Sequence, residues 1–450
     1  MRFRSPLLAI AATPLALALA TTPLSGQDRA PRPMQVTDVD SFRDVRDLDI
    51  APDGAWVAYT VGLPDLAKDK DEGDIWLSNW AGTEHVRLTS SPSRESQPRF
   101  SPDGRWIAFV SSRKSGDDDK TTGGQIWILS RQGGEARRLT TRKGGAGDVQ
   151  WSPDSARLVF VGDDPDPEED KTGEDKTPKK PIVIDRYGFK RDREGYLVHR
   201  RSHLYLVNVA SGALETLTTG DWDDTLPAWS PDGTKIAFLS ARKGKSDLYV
   251  RPSNSGTTEE LLLETPNDKW TQDWSRDGRY LLYREQDPKT GFDLKALAMT
   301  GSQRTTIPVA NTRFEERYGQ FSPDGRWVAY ATDESGQFEI VVQPFPHATE
   351  KWPVSTGGGS QPRWRADGKE LYFIASDGTL MATSIIASGS RLEVGAPAVL
   401  FHARFQGGST ANPAKHQYAV SHDGRFLINR PTEDATLSPI TLILNWRAKP

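Results

Sequence analysis

The sequence predicts an all-β fold, a single β-propeller built from four-stranded blades. Three observations predict it: a tetrapeptide of the Ser-Pro-Asp-Gly type recurs eight times, its copies follow one another at the period of a propeller blade, and aromatic residues stand at fixed offsets from most of the copies. The composition, 36% hydrophobic and 26% charged residues, is that of a globular protein. We count eight blades; seven blades with irregular end repeats is the alternative.

The recurring tetrapeptide is a turn motif. Pro presets φ at the first corner of a tight turn, Asp hydrogen-bonds its own backbone, and Gly accepts the positive φ that closes the turn. Measured between their Asp residues, successive copies are 50, 51, 78, 45, 47, 43 and 56 residues apart, so one interval holds an insertion. Each copy is therefore predicted to join two strands. The eight Asp residues are Asp53, Asp103, Asp154, Asp232, Asp277, Asp324, Asp367 and Asp423.

Two aromatic columns accompany the turns. Three residues before the Asp stand Phe100, Trp151, Trp229, Trp274, Phe321 and Trp364. Six residues after it stand Tyr59, Phe109, Phe160, Phe238, Tyr283, Tyr330 and Phe373. Segments such as 106–110 are apolar at consecutive positions, which is typical of strands covered on both faces. Four strands between turns, repeated radially, is how a propeller protects its sheet edges.

The two ends of the chain have their own features. Basic residues at positions 2 and 4 precede an apolar stretch from 7 to 20 and then small residues, the pattern of a secretory signal peptide; a retained membrane anchor is the alternative. We assign a signal peptide to 1–26, a linker to 27–48, the propeller to 49–446 with an insertion at 163–201, and a tail to 447–450. We therefore expect a periplasmic or secreted protein. After the last turn only 440–446 reads as a strand, so ring closure is expected to use a strand or contact from the segment before Asp53.

Charge and cysteine content narrow the function classes. A net charge of -4 argues against a nucleic-acid partner, because phosphate binding needs clustered Lys and Arg. With no Cys, the chain has no disulfide and no thiolate metal site. His199 and His203 are four residues apart, and we interpret them as an ordinary surface pair rather than metal ligands. We predict no cofactor, no metal and no stable membrane insertion after signal cleavage.

The insertion is the one segment that the blade period does not require. Residues 163–175 carry eight acids and one Lys, whereas 176–201 carry nine Lys or Arg and three acids. A self-neutralising polar loop would account for this pattern. The basic half also has enough apolar residues to form a hairpin over the ring, and we predict that it is a surface for a protein or peptide partner. The predicted binding residues are Arg186, Tyr187, Phe189, Lys190 and Arg191.

The repeats resemble the WD40-like propellers of the periplasmic TolB protein and of the non-catalytic half of prolyl oligopeptidase family peptidases. Residues 185–192 and 202–206 resemble acylaminoacyl-peptidase-type members, and 362–446 resembles the sensor propellers that follow some bacterial transmembrane kinases. The resemblance implies a propeller fold and places the insertion near the face that such peptidases share with their catalytic domain. Fold alone does not imply an activity.

The resemblance to peptidases stops short of a hydrolase domain. Such a domain would need a Gly-x-Ser-x-Gly elbow opening a helix. The nearest match surrounds Ser409 but runs into Asn412-Pro413, which cannot open that helix, so we predict no catalytic residue. Three functions stay open. They are an exported non-catalytic binding or scaffolding propeller, which we favour, the substrate-gating half of a split or truncated serine peptidase, and an enzyme with a central-channel site.

Overall fold

The repeat folds into antiparallel sheets, each made of strands that follow one another in the sequence. The computed structural model describes residues 43–65, 70–116, 119–165, 184, 190–191, 195–196, 200–254, 258–301, 304–348, 350–389, 391–403, 405 and 416–429. These residues form strands and no helix, as the all-β prediction requires. The first strand begins at Asp44, within the stretch assigned to the linker at 27–48.

Seven sheets have four or more strands, and in the first six every strand pairs with the next strand of its sheet. The first contains β1 (Asp44–Ile50), β2 (Trp56–Asp65), β3 (Lys70–Asn79) and β4 (His85–Arg87). The second contains β5 (Glu95–Phe100), β6 (Trp106–Ser111), β7 (Gln125–Ser130) and β8 (Arg137–Arg138). The third contains β9 (Gly147–Trp151), β10 (Arg157–Asp163), β13 (Ser202–Asn208) and β14 (Leu214–Thr216). Between β10 and β13 the chain forms a separate two-stranded sheet of β11 (Lys190–Arg191) and β12 (Gly195–Tyr196). The fourth contains β15 (Asp224–Trp229), β16 (Lys235–Ser240), β17 (Asp247–Pro252) and β18 (Glu260–Leu263).

The remaining sheets complete the series. The fifth contains β19 (Lys269–Trp274), β20 (Tyr280–Asp287), β21 (Gly291–Ala298) and β22 (Thr306–Ala310). The sixth contains β23 (Glu316–Phe321), β24 (Trp327–Thr332), β25 (Glu339–Pro344) and β26 (Trp352–Pro353). The seventh contains β27 (Ser360–Trp364), β28 (Glu370–Ile374), β29 (Thr379–Ser388), β30 (Arg391–Val394) and β31 (Ala398–His402), the last two both pairing with β29. A two-stranded unit follows, β32 (Tyr418–Val420) and β33 (Phe426–Ile428).

Each Ser-Pro-Asp-Gly copy is the turn between the first and second strands of its sheet, as predicted. In the second sheet, the Ser101 hydroxyl donates to Asp103 Oδ1 at 2.6 Å, and the same oxygen accepts from the Arg105 backbone N at 3.0 Å. Gly104 has φ +70° and its N donates to the Ser101 carbonyl at 2.8 Å. The motif is self-contained, because its own side chain satisfies the backbone that the turn exposes.

The aromatic columns are buried or half-buried, and one of them connects neighbouring sheets. Most side chains six residues after the turn Asp lie in the core, where Phe160 and Phe238 are 0% exposed, whereas Tyr59 is half-buried. The Trp residues three before it also form hydrogen bonds across sheet boundaries. Trp151 Nε1 donates to the Arg99 carbonyl of the preceding sheet at 3.0 Å, and the corresponding bond of Trp364 spans the sixth and seventh sheets. These indoles therefore contribute both apolar area and a polar link between sheets.

A bulge in the first strand of each sheet was not predicted. In six sheets a non-Gly residue six positions before the turn Asp has φ between 49° and 57° and interrupts pairing with the second strand. Side chains at some of these positions accept hydrogen bonds from the next sheet, as when the Gln97 N donates to Asp47 Oδ2 at 3.1 Å. The bulge residues are Asp47, Gln97, Asp148, Leu226, Tyr318 and Gln361.

The β32–β33 unit contacts both the seventh and the first sheet. The Tyr418 hydroxyl donates to the Gln361 carbonyl at 2.9 Å, and Asn429 Nδ2 donates to the Val45 carbonyl in β1 at 2.5 Å. The ring is thus joined through the segment before Asp53, as the sequence predicted. Only two strands of this unit lie in the described part of the chain, and 440–446 lies outside it, so a count of eight blades stays a prediction.

Candidate functional site

The predicted binding residues belong to the insertion between the second and third strands of the third sheet. Lys190 and Arg191 form β11, which pairs with β12 in the register Lys190 to Tyr196 and Arg191 to Gly195. Lys190 is exposed. This short ladder agrees with a hairpin in the basic half of the insertion. Arg186, Tyr187 and Phe189 lie outside the described residues, and binding by any of the five stays a prediction.

The insertion leaves and re-enters the sheet at a fully paired ladder. Strands β10 and β13 stay in register as far as the pair Asp163 and Ser202, whose side chains bond at 2.7 Å. One step further, the Asp164 N donates to the Arg201 carbonyl at 2.8 Å. Both ends of the insertion are therefore held by the third sheet, at the end of its strands opposite the Asp154 turn.

A histidine joins the two ends of the insertion to the fourth sheet. His203 is 2% exposed; its Nδ1 lies 3.3 Å from Asp224 Oδ2 and its Nε2 lies 3.6 Å from Asp164 Oδ2. Burial by itself would lower the pKa of His203, but the hydrogen bond to Asp224 and the charges of both carboxylates outweigh it and raise the pKa. The His203 imidazole, placed between two carboxylates, links the start of the insertion, its end and the next sheet.

Two arginines extend this network over neighbouring aromatic rings. Arg142 lies over the Tyr205 ring at 3.5 Å from its centroid. Arg242 lies 4.1 Å from the centroid of Tyr249 and pairs with Asp224 at 3.4 Å. Burial alone would raise the pKa of Asp224, but hydrogen bonds from His203 and other side chains and the charge of Arg242 lower it. The base of the insertion is therefore a connected set of charged groups spanning two sheets.

The network ties the two ends of the insertion to the sheets. Both ring nitrogens of His203 face carboxylates, and the side chain is buried. The expectation that His203 belongs to an ordinary surface pair is wrong, because the β10–β13 ladder directs it between two sheets; His199 lies outside the described residues. Among the described residues no group of three or more His, Asp or Glu side chains is placed to hold a metal ion.

The sheets, the turns and their spacing define this chain as a β-propeller. Two parts of it match propeller family models: one described as the Tricorn protease N-terminal beta propeller domain matches residues 70–172, and one described as the TolB beta propeller domain matches 197–317. In the described part of the chain no helix is long and apolar enough to cross a membrane.

Curated relatives carry names of peptidases and of TolB. The chain is 34% identical over 220 residues to the uncharacterized peptidase YuxL of Bacillus subtilis, covering 48% of this chain and 32% of the relative. It is 25% identical over 337 residues to dipeptidyl-peptidase 5 of Porphyromonas gingivalis, covering 66% and 46%. The Tol-Pal system protein TolB of Francisella tularensis subsp. holarctica (strain OSU18) is 24% identical over 262 residues, covering 57% and 50%. The chain thus spans between about a third and a half of these relatives.

Solved structures confirm the fold. An acylaminoacyl peptidase in complex with a chloromethyl ketone aligns with a TM-score of 0.50 at 18% identity, over 80% of this chain and 52% of the peptidase. A prolyl endopeptidase structure aligns with a TM-score of 0.50 at 13% identity, over 85% and 53%. At such identities the likeness concerns the propeller fold alone.

Proposed function

We propose that this chain is an exported, non-catalytic β-propeller that presents one end of its third sheet, the end that bears the insertion, to a protein or peptide partner. The observation that carries the proposal is the anchoring of the insertion. A buried His203 between Asp164 and Asp224 is more than a solvated loop requires, and it supports a defined position for the insertion at the third sheet. Export rests on the signal-like pattern at 1–26.

The composition of the insertion supports a protein surface. Its basic half combines Arg, Lys and aromatic side chains, the residue types that dominate binding energy at protein interfaces. Lys190 is exposed on β11, so it can reach a partner. The excess of positive charge in 176–201 favours a partner with an acidic contact surface.

Site-specific photo-crosslinking tests the proposal. A crosslinking side chain placed at Lys190 should capture a discrete partner from periplasmic extract. The matched control is the same side chain at Ala156, which is exposed at the opposite end of the same sheet. Replacing 176–200 by a short Gly-Ser linker should abolish capture and leave the melting temperature nearly unchanged. Equal capture from both positions, or capture that survives the replacement, would refute the assigned surface.

A second candidate is the substrate-gating half of a serine peptidase whose catalytic half is a separate chain. The names of the relatives favour it, because two of them are peptidases that this chain matches over less than half of their length. Mixing the purified chain with an α/β-hydrolase encoded beside it tests this alternative. A change in the hydrolysis of acyl-peptide substrates would favour gating, and unchanged rates would exclude it for that pair.

A further inference from the structure

Neighbouring sheets meet at a repeated pair of positions. The first position lies on the third strand of a sheet, where it pairs with the second-strand residue that is eight residues after the turn Asp. The second position lies on the first strand of the next sheet, eight residues before the turn Asp of that sheet. Between the fourth and fifth sheets these positions hold Asp247 and Lys269, with Nζ 2.7 Å from Oδ1. Between the third and fourth they hold His203 and Asp224. Both junctions therefore bury a basic side chain beside an acidic one.

Two other junctions place two acids at the same positions. Asp293 and Glu316 occupy the junction between the fifth and sixth sheets and are 0% and 1% exposed. Asp74 and Glu95 occupy the junction between the first and second sheets. Because a buried carboxylate is costly without a counter-charge, two of them at one junction need a cation or a proton.

Each member of the Asp293 and Glu316 pair leaves one carboxyl oxygen without a partner. Glu316 Oε1 accepts from the Thr312 hydroxyl at 2.5 Å, and Asp293 Oδ2 accepts from Thr290 at 3.0 Å and Asn311 at 3.1 Å. Glu316 Oε2 and Asp293 Oδ1 are buried and have no hydrogen-bond partner in the described structure. The pair thus has two buried acceptor oxygens, and neither receives a hydrogen bond from a described residue.

The surrounding charges do not neutralise the pair. Lys295 is the closest cation to Asp293, but its Nζ lies 4.0 Å from Oδ2 while it pairs with Glu285 at 2.6 Å. Asp287 and Glu285 add negative charge around Asp293. On the side of Glu316 the cation is the more distant Lys351, which pairs with Glu334. Because Lys295 is engaged with Glu285, the two carboxylates of the junction have no close counter-charge of their own among the described residues.

We propose that Asp293 and Glu316 share one proton, so that the junction between the fifth and sixth sheets is a pH-sensitive contact. Protonation of one carboxyl removes its charge from the interior and leaves a single negative charge on the pair. When the proton leaves, both buried carboxylates are charged, which destabilises the contact between the two sheets.

The electrostatics of the pair agree with this arrangement. Burial, together with the charge of Asp293, raises the pKa of Glu316 from 4.5 to about 7, and burial raises the pKa of Asp293. The pair of Asp74 and Glu95 has less need of a proton, because each carboxylate has an arginine as a counter-charge. Arg87 lies 2.6 Å from Asp74, and Arg113 lies 3.7 Å from Glu95. The junction without an arginine is therefore the one that needs the proton most.

The sign of the pH dependence follows from the raised pKa. The folded chain binds this proton more tightly than the unfolded chain does, so its stabilising effect is complete below pH 4.5 and is lost as the pH rises through about 7. Each pH unit in this window raises the unfolding constant about tenfold for one proton. The whole window corresponds to about a 300-fold rise.

Equilibrium denaturation between pH 4.5 and 8 tests the proposal with Glu316→Gln. The Gln side chain is neutral at every pH, so the variant should lack the 300-fold rise while keeping all other titrations. Asp49 and Asp273, whose pKa values burial raises to about 6, titrate in both proteins and cancel in the comparison. Glu393→Gln, at an exposed acid of the seventh sheet, is the matched control and should keep the wild-type pH profile.

Parallel pH profiles of wild type and Glu316→Gln would overturn the proposal. If that variant fails to fold, Asp293→Asn removes a negative charge from the other member of the pair, and the infrared band of a protonated carboxyl in the wild type at pH 6 gives an independent readout. That band should be present in the wild type and weaker in the folded variant. If wild-type stability at pH 8 rises with added Na⁺ or Ca²⁺ and that of the variant does not, the junction holds a cation instead and the shared proton is refuted.

Discussion

Lys269 allows the clearest test of how the sheets are held together. Its ammonium is 0% exposed and lies 2.7 Å from Asp247 Oδ1, 2.7 Å from the Asn267 carbonyl and 3.3 Å from the Thr265 carbonyl. Replacing Lys269 by Met keeps most of the side-chain volume and removes the charge and all three hydrogen bonds. Asp247, itself 1% exposed, would then be a buried carboxylate without a counter-charge.

The magnitude follows from the geometry of the pair. At 2.7 Å and an effective dielectric constant of about 20, the Coulomb attraction is about 6 kcal/mol before the cost of removing both ions from water. Breaking a buried pair by removing one partner costs about 3–5 kcal/mol. We therefore expect Lys269→Met to lower the free energy of unfolding by about 3–5 kcal/mol at pH 7.

A double-mutant cycle separates the pair from its surroundings. Equilibrium urea denaturation would compare wild type, Lys269→Met, Asp247→Leu and the double variant, in which both ions are replaced by apolar groups. Because no charge is left unpaired, the double variant should recover most of the stability that Lys269→Met loses. A loss below about 1 kcal/mol for Lys269→Met, or a double variant less stable than that single one, would refute the reasoning.

Three further predictions concern the turns, the indoles and the chemistry. Gly104→Val should lower the free energy of unfolding by more than about 1 kcal/mol, because a β-branched residue is strained at φ +70°; an unchanged thermal midpoint would contradict this. Trp364→Phe should cost about 1 kcal/mol or more in thermal unfolding by removing the bond from Nε1 to the Gln320 carbonyl, whereas equal stability would make that bond dispensable. No labelling by a fluorophosphonate probe is expected, and specific labelling of Ser409, which lies outside the described residues, would overturn the non-catalytic assignment.

The local features of the repeat were predictable from sequence. A turn such as 101–104 is closed by its own side chains, so its conformation is specified by four adjacent residues wherever it occurs. The aromatic columns were also predictable, because a residue at a fixed offset from a fixed turn faces the same way in every sheet. The all-β class and the antiparallel order of the strands follow from these two regularities.

The contacts between sheets were decided by the tertiary structure alone. Asp247 meets Lys269 and Asp293 meets Glu316 only because one sheet is laid against the next, and the same two positions carry opposite charges in one junction and like charges in another. No periodicity in a single strand reports such a pair, since its members belong to different sheets. His203 was misjudged for this reason: its spacing from other residues is visible in the sequence, whereas its burial between Asp164 and Asp224 depends on where two sheets come together.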